Sequence, residues 1–285
     1  QVLLPPHAVD SKLISLPVVG HVVGTVLSRS ETRTAVAAEL SEIRDRGHLI
    51  IGIKNNRPPL GFVDEAGEIS GFEVDIARQL AADLLGDASA IEFVPLSNVD
   101  RLNAVLEERV DIAIAAITLT EPRRRLVSFS DPYYLDGTAF IVSSDIQTLR
   151  DLSTRRIGLL NRSSTVAHVR YLFPSAQLVG VSSYREGQSL LERGDVDAYA
   201  GDASVLTGWL STQPALAEYV LLPNLISAEP LAVAIPKGTQ NDELRTAINQ
   251  SIRRWYAEDW LQERTDYWNL PSGILPSVRE SLSDE

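Results

Sequence analysis

The sequence predicts an α/β protein of two lobes, each a mixed, mainly parallel sheet flanked by helices, with a two-strand hinge between them. Three observations carry that expectation. Short β-rich runs alternate with amphipathic runs of helical period, the pattern of βαβ units. An internal echo pairs LEERVDIAIAA (106–116) with LERGDVDAYAG (191–201): in each, a helix ends in charges, an Asp starts a strand, and the strand delivers a polar segment. The chain also leaves the first lobe and returns to it, so it crosses between lobes near 132–137 and 227–230. A length of 285 residues, 44% hydrophobic and 22% charged, suits one large domain or two small ones.

The elements follow in order. Residues 1–46 read as an N-terminal arm and a helix. Within the arm, LISLPVVGHVVGTVL (13–27) is shorter than the about 20 apolar residues of a membrane span and is broken by Pro17. It reads as short strands or an extended segment, with a remnant anchor as the alternative. Ser30 can cap a helix running to Arg46, with Val36, Leu40 and Ile43 on one face and Gly47 closing it. A strand over 49–53 leads to a Pro-Pro turn, and 63–70 reads as a hairpin around Glu65-Ala66-Gly67. In GFEVDIARQLAAD (71–83), Glu73 and Asp75 fall in the first turn of a helix, where its dipole favours acids. Val74, Ala77, Ala81 and Leu84 recur at helical spacing, and Gly86 ends the helix. A strand over 91–95, a helix over 98–108 and a strand over 111–115 follow. The second lobe carries a strand over 156–160, a helix from Thr165, a helix over 184–193 and a strand over 197–200. A strand over 231–235 and a helix over 242–264 return to the first lobe. The expected boundaries are therefore 47–134 with 229–270 for the first lobe, 138–227 for the second, and 271–285 for an acidic tail.

A net charge of −12 argues against a nucleic-acid partner, since phosphate binding needs a basic face, and disfavours an anionic membrane surface. With no cysteine there are no disulfides or thiolate metal sites. Methionine is missing even at position 1, so a processed N-terminus with its signal peptide removed is expected. The sequence has no GxxxxGK, GxGxxG, HExxH or GxSxG motif, and its four histidines are scattered. No catalytic residue, metal or cofactor is expected.

Ligands in open α/β sheets bind beyond the carboxyl ends of strands, which directs attention to the segments after Ala116 and Ala200. ITLTEPRRR (117–125) offers the hydroxyls of Thr118 and Thr120 and a helix start at Thr120 whose N–H groups would favour an anion. Arg123 lies in that first turn with a fork suited to a carboxylate, whereas Arg124 and Arg125 decorate the surface. Asp202 is either a helix N-cap or a ligand group. KNNRPPLGF (54–62) holds two cations, Lys54 and Arg57, which are either cleft charges or solvated rim charges.

Three ordered blocks, LIIGIKNNRPPLGF (49–62), GFEVDIARQLAAD (71–83) and VDIAIAAITLTEPRRRLVSFSDPYY (110–134), closely resemble bacterial extracellular solute-binding protein family 3. These are the polar amino-acid-binding receptors of ABC importers, and the resemblance spans roughly 47–270. It implies a type II periplasmic-binding-protein fold, a periplasmic location, a monomer, and lobe closure around a free amino acid for delivery to a membrane permease. The missing cysteine removes the acylated anchor of many Gram-positive relatives. Position by position, the resemblance puts the ligand-carboxylate arginine on Arg123 and backbone and hydroxyl contacts on Ala116 and Thr118. It puts the acid for the α-ammonium on Asp202 and loop hydroxyls on Ser163 and Ser164, with Arg162 where glycine is common. Receptors for glutamine or basic amino acids often carry an acid at the Lys54 position and aromatics near Arg57 and Leu60. Binders of glutamate or aspartate are more like this chain, with a cation at Lys54 and an arginine matching Arg101. The resemblance thus implies a glutamate or aspartate receptor, with glutamine or asparagine as alternative ligands. It also admits a cyclohexadienyl-dehydratase-like enzyme with an acid in the cleft, and a sensory ligand-binding domain.

Overall fold

The structure is a computed structural model, and it describes residues 39–161 and 163–271. The arm, the 13–27 run, the expected helix positions before 39, Arg162 and the tail from 272 lie outside the described residues.

In chain order the elements are α1 (Leu40–Arg46), β1 (Leu49–Ile53), β2 (Asn56–Arg57), β3 (Gly61–Val63), β4 (Ile69–Ser70), α2 (Phe72–Leu85) and β5 (Ile91–Pro95). Next come α3 (Arg101–Leu106), β6 (Ile112–Ile114), α4 (Glu121–Arg124), β7 (Ser128–Asp136), β8 (Thr138–Ser143), β9 (Arg156–Leu160) and α5 (Thr165–Leu172). The last are β10 (Gln177–Val181), α6 (Tyr184–Glu192), β11 (Ala198–Asp202), α7 (Ala203–Thr212), β12 (Tyr219–Leu221), β13 (Glu229–Ile235), α8 (Asp242–Ala257) and α9 (Trp260–Tyr267).

Two five-stranded sheets organise the molecule, ordered β5-β1-β6-β13-β7 and β10-β9-β11-β8-β12. In each, three strands run parallel and two join antiparallel. Both faces of each sheet are buried, so strand residues alternate between two apolar layers. Ile112 and Ile114 face α2 and α8 through Ile76, Leu80, Ile248 and Trp255, while Ala113 and Ala115 face α3 through Ala104 and Val105. Two further layers sandwich the second sheet, with Tyr199 and Leu206 in one and Phe140 and Val169 in the other.

Local signals set most ends. Gly86 takes φ +80 and closes α2, and Gly47 closes α1 in the same way. The single long helix expected over 242–264 is instead α8 and α9. The chain turns at Asp259, φ +59, which lets Trp260 fold back onto Trp255 with ring centroids 5.1 Å apart. The helix expected over 98–108 shortens to α3, because Ser97 first bonds the Asp100 N–H in a turn. The anion-binding helix expected at Thr120 is only the four-residue α4, too short to build a useful dipole. The strand expected over 197–200 runs on to Asp202.

The chain passes directly from β7 to β8 through Gly137 and returns into β13, with Asp136 opposite Glu229. Thr138 N–H donates to Ser227 Oγ at 2.9 Å, and Ile226 N–H to the Thr138 carbonyl at 2.9 Å. The two crossings lie so close that a Cβ at Gly137 would collide with the Ser227 carbonyl. Gly137→Ala is therefore expected to overpack the crossing, at about 1–3 kcal/mol. That corresponds to a drop in Tm of roughly 3–10 °C for a chain of this size. Calorimetry returning a wild-type Tm would show that the crossings part without cost.

Candidate functional site: a cation-lined cleft at the crossing strands

Lys54 follows β1 directly, at the carboxyl end of a central strand. It is 3% exposed, and its Nζ donates to the Leu96 carbonyl at 2.8 Å. Burial, then the charges of Arg101 and Arg57, hold its pKa below the ordinary lysine value. Arg101 opens α3, and its Nη1 donates to the Ala115 and Ala116 carbonyls at 3.0 and 2.5 Å. Its pKa is lowered by burial and then by Arg123 and Arg57. Arg123 Nη1 donates to the Thr118 carbonyl at 2.8 Å, and burial lowers its pKa too. Among the described residues, none of these three cations forms an ion pair with a carboxylate; their contacts are to neutral carbonyl oxygens.

Arg57 behaves differently. From β2 in the first lobe, its Nη2 reaches Asp202 Oδ2 at 3.0 Å and Ser204 Oγ at 3.2 Å in the second. Asp136 lies 3.8 Å away. Burial opposes the charge on Arg57, but Asp202 and Asp136 outweigh it and raise its pKa. Neither Lys54 nor Arg57 is a solvated rim charge. Asp202 occupies the N-cap position of α7, yet its side chain makes no capping bond and is turned to Arg57 instead. Next to this contact, Gly208 of α7 sits against the Pro58 carbonyl, with no room for a Cβ.

Beside Arg101 lies the Ala116 peptide. Ala116 holds φ +51, a conformation that costs a non-glycine residue about 1–3 kcal/mol. Two charged side chains hold it there: Ala116 N–H donates to Glu73 Oε1 at 2.7 Å, and Arg101 takes its carbonyl. Tyr133 O–H also donates to Glu73 Oε1, at 2.6 Å. Glu73 is fully buried with its second oxygen unbonded. Burial raises its pKa, and the bonds from Tyr133 and Ala116 only partly offset that.

The structure thus brings Lys54, Arg57, Arg101, Arg123 and Asp202 together beside Ala116 and Thr118. The two serines bond elsewhere. Ser163 Oγ gives its one proton to the Leu160 carbonyl at 2.8 Å, leaving none for a carboxylate. Ser164 Oγ lies 3.4 Å from Glu229 Oε1 at the return crossing.

Tyr133, Asp136 and Ser204 were not singled out from the sequence, and Glu73 was read only as a first-turn acid of its own helix. Glu73 had a signal: it lies three, four and seven positions before the buried Ile76, Ala77 and Leu80, on the core face of α2. Asp136 had none, because Ser204 is 68 residues away. Glu73→Gln mimics the protonated acid and is expected to stabilise the protein as pH rises. The folded pKa of Glu73 is raised, so its contribution is fully present below its unfolded value, about 4.3, and fades as pH climbs through the folded value. The Tm of Glu73→Gln minus that of wild type should therefore grow as pH rises above about 4.3. A difference that shrinks or stays flat would place Glu73 as a carboxylate satisfied in the fold.

No helix among the described residues is long and apolar enough to cross a membrane. Among them, no group of three or more His, Asp or Glu could hold a metal ion.

The family model for bacterial extracellular solute-binding proteins, family 3, matches residues 49–271. The chain is similar to a glutamine-binding protein of Geobacillus stearothermophilus, at 31% identity over 75% of this chain and 82% of that one. It is also similar to a glutamate/glutamine/aspartate/asparagine-binding protein of Rhodobacter capsulatus, at 29% identity over 73% of this chain and 64% of that one. Among solved structures, an ancestral cationic amino acid solute-binding protein superposes with a TM-score of 0.68 at 26% identity, covering 80% of this chain and 98% of the other.

Proposed function

The chain belongs to the bacterial extracellular solute-binding proteins, family 3, and we propose that within that family it is the receptor for an acidic amino acid, glutamate or aspartate. It is a type II periplasmic binding protein and an amino-acid-binding component of an ABC importer, so it makes and breaks no bond. Relatives named for glutamine, for acidic amino acids with their amides, and for cationic amino acids leave ligand charge open. What supports an acidic ligand is that Lys54, Arg101 and Arg123 are partly or fully buried cations that, among the described residues, bond to carbonyl oxygens and to no carboxylate. Burial outweighs the attraction of Glu73 for Lys54 and Arg101 and of Glu229 for Arg123, and a ligand carrying two carboxylates adds the counter-charge that would offset it.

In this reading Arg123 takes the α-carboxylate, flanked by the Ala116 and Thr118 peptides, and Lys54 and Arg101 take the side-chain carboxylate. Asp202, with Arg57 on it, faces the amino group, and Ser163 and Ser164 form the wall of the second lobe. Closure about the crossings presents the loaded form to the membrane permease of the importer. Micromolar affinity corresponds to about −8 kcal/mol, within reach of two desolvated carboxylate clamps.

A thermal-shift screen of the common amino acids tests the reading. A ligand at a hundred times its Kd stabilises the native state by about 2.7 kcal/mol. Glutamate and aspartate are expected to give the largest shifts. A larger shift with glutamine, arginine or cystine would replace the acidic ligand with that one and leave the receptor assignment standing.

A further inference from the structure

We infer that the cleft also takes aliphatic dicarboxylates that lack an amino group, because Arg57 already holds Asp202. The inference rests on the acidic-ligand reading and narrows it to which groups of the ligand are recognised.

The acids and cations around the cleft are bonded in opposite ways. Every acid already receives a hydrogen bond from the protein. Asp202 has Arg57 at 3.0 Å. Asp136 has Ser204 Oγ at 2.5 Å, the Ser204 N–H at 3.2 Å and the Gly137 N–H at 2.9 Å. Glu73 has Tyr133 and the Ala116 N–H, and Glu229 has Ser164. Lys54, Arg101 and Arg123 meet no acid within ion-pair distance among the described residues and keep donors to spare beyond their carbonyl contacts.

An ammonium arriving at Asp202 therefore has to share it with a guanidinium that is itself tied to Ser204 and flanked by Asp136 at 3.8 Å. Two carboxylates arriving at the cations displace nothing of equal strength. Removing the amino group then leaves no acid unpaired, because Arg57 continues to satisfy Asp202. If Asp202 were free, the same removal would leave a partly buried carboxylate without a partner and weaken binding on the order of a hundredfold. Arg57 is thus the residue that sets how much the amino group counts.

Calorimetric titration of the full chain with matched pairs tests this: L-glutamate against glutarate, and L-aspartate against succinate, at one salt concentration. Each diacid is expected to bind within about tenfold of its amino acid. In Arg57→Gln, with folding checked by circular dichroism, the gap should widen to roughly a hundredfold as Asp202 comes to require a cation. Glutamate binding with glutarate weakened a hundredfold or more in wild type would overturn the inference and leave the acidic reading intact. Equal gaps in wild type and Arg57→Gln would also overturn it. Glutamine binding better than either acid would overturn both.

Discussion

Arg123→Ala is expected to remove amino-acid binding almost entirely while leaving the fold in place. Arg123 is half-buried, leads from a single-turn helix and, among the described residues, spends only Nη1 on the protein, at the Thr118 carbonyl. The rest of its fork is the natural partner of the group that every amino acid shares, its α-carboxylate. Truncating one member of a buried charge pair costs on the order of 2–5 kcal/mol, or about thirtyfold to several thousandfold in Kd. Arg123 forms no ion pair among the described residues, so the Tm of the free protein should move by less than about 2 °C. A loss below tenfold, measured by calorimetry against the best ligand, would transfer the carboxylate to another cation.

Lys54→Asp should reverse the charge preference. The residue lies at the end of a central strand with its charge inside the protein and two arginines beside it. An aspartate there would pair with Arg101 or Arg57 and face the ligand's side-chain carboxylate with a like charge, which costs several kcal/mol in a desolvated site. Glutamate should weaken by at least a hundredfold, whereas glutamine should change little, because its amide can donate to the new acid. Lys54→Gln should fall between the two. A variant that keeps the wild-type ranking of glutamate over glutamine would show that Lys54 does not touch the ligand.

Much of the fold was legible in the chain because its signals are local. Gly47 and Gly86 mark helix ends by their freedom to take positive φ, and β1, β5 and β9 stand out as short apolar runs between turns. Among the strands that went unread, β7, β8, β10 and β12 pair with partners far along the chain. The break between α8 and α9 depends on Trp260 finding Trp255, a packing choice that continuous helical spacing conceals.

The site divides the same way. Lys54 drew attention as a cation just after a strand and Arg123 as an arginine in the first turn of a helix, whereas Arg101 was named only through the family resemblance. The bond between Arg57 and Asp202 could not be named, because 145 residues separate the two and only the tertiary fold joins them. Glu73 read as a first-turn acid serving its own helix. Its burial under Ala116 follows from where α2 packs on the sheet, which the sequence expresses only through the spacing of Ile76, Ala77 and Leu80.

The role given to these cations makes the charge of the ligand decisive, and one titration reads it. Wild-type protein is titrated with glutamate and with glutamine at about 0.05 M and about 0.5 M salt, a range over which exposed charges become strongly screened and buried ones do not. Glutamate is expected to bind at least tenfold more tightly than glutamine at both concentrations. Equal or tighter binding of glutamine, or a preference for glutamate that vanishes at the higher salt, would contradict a cleft whose buried cations select an acidic ligand.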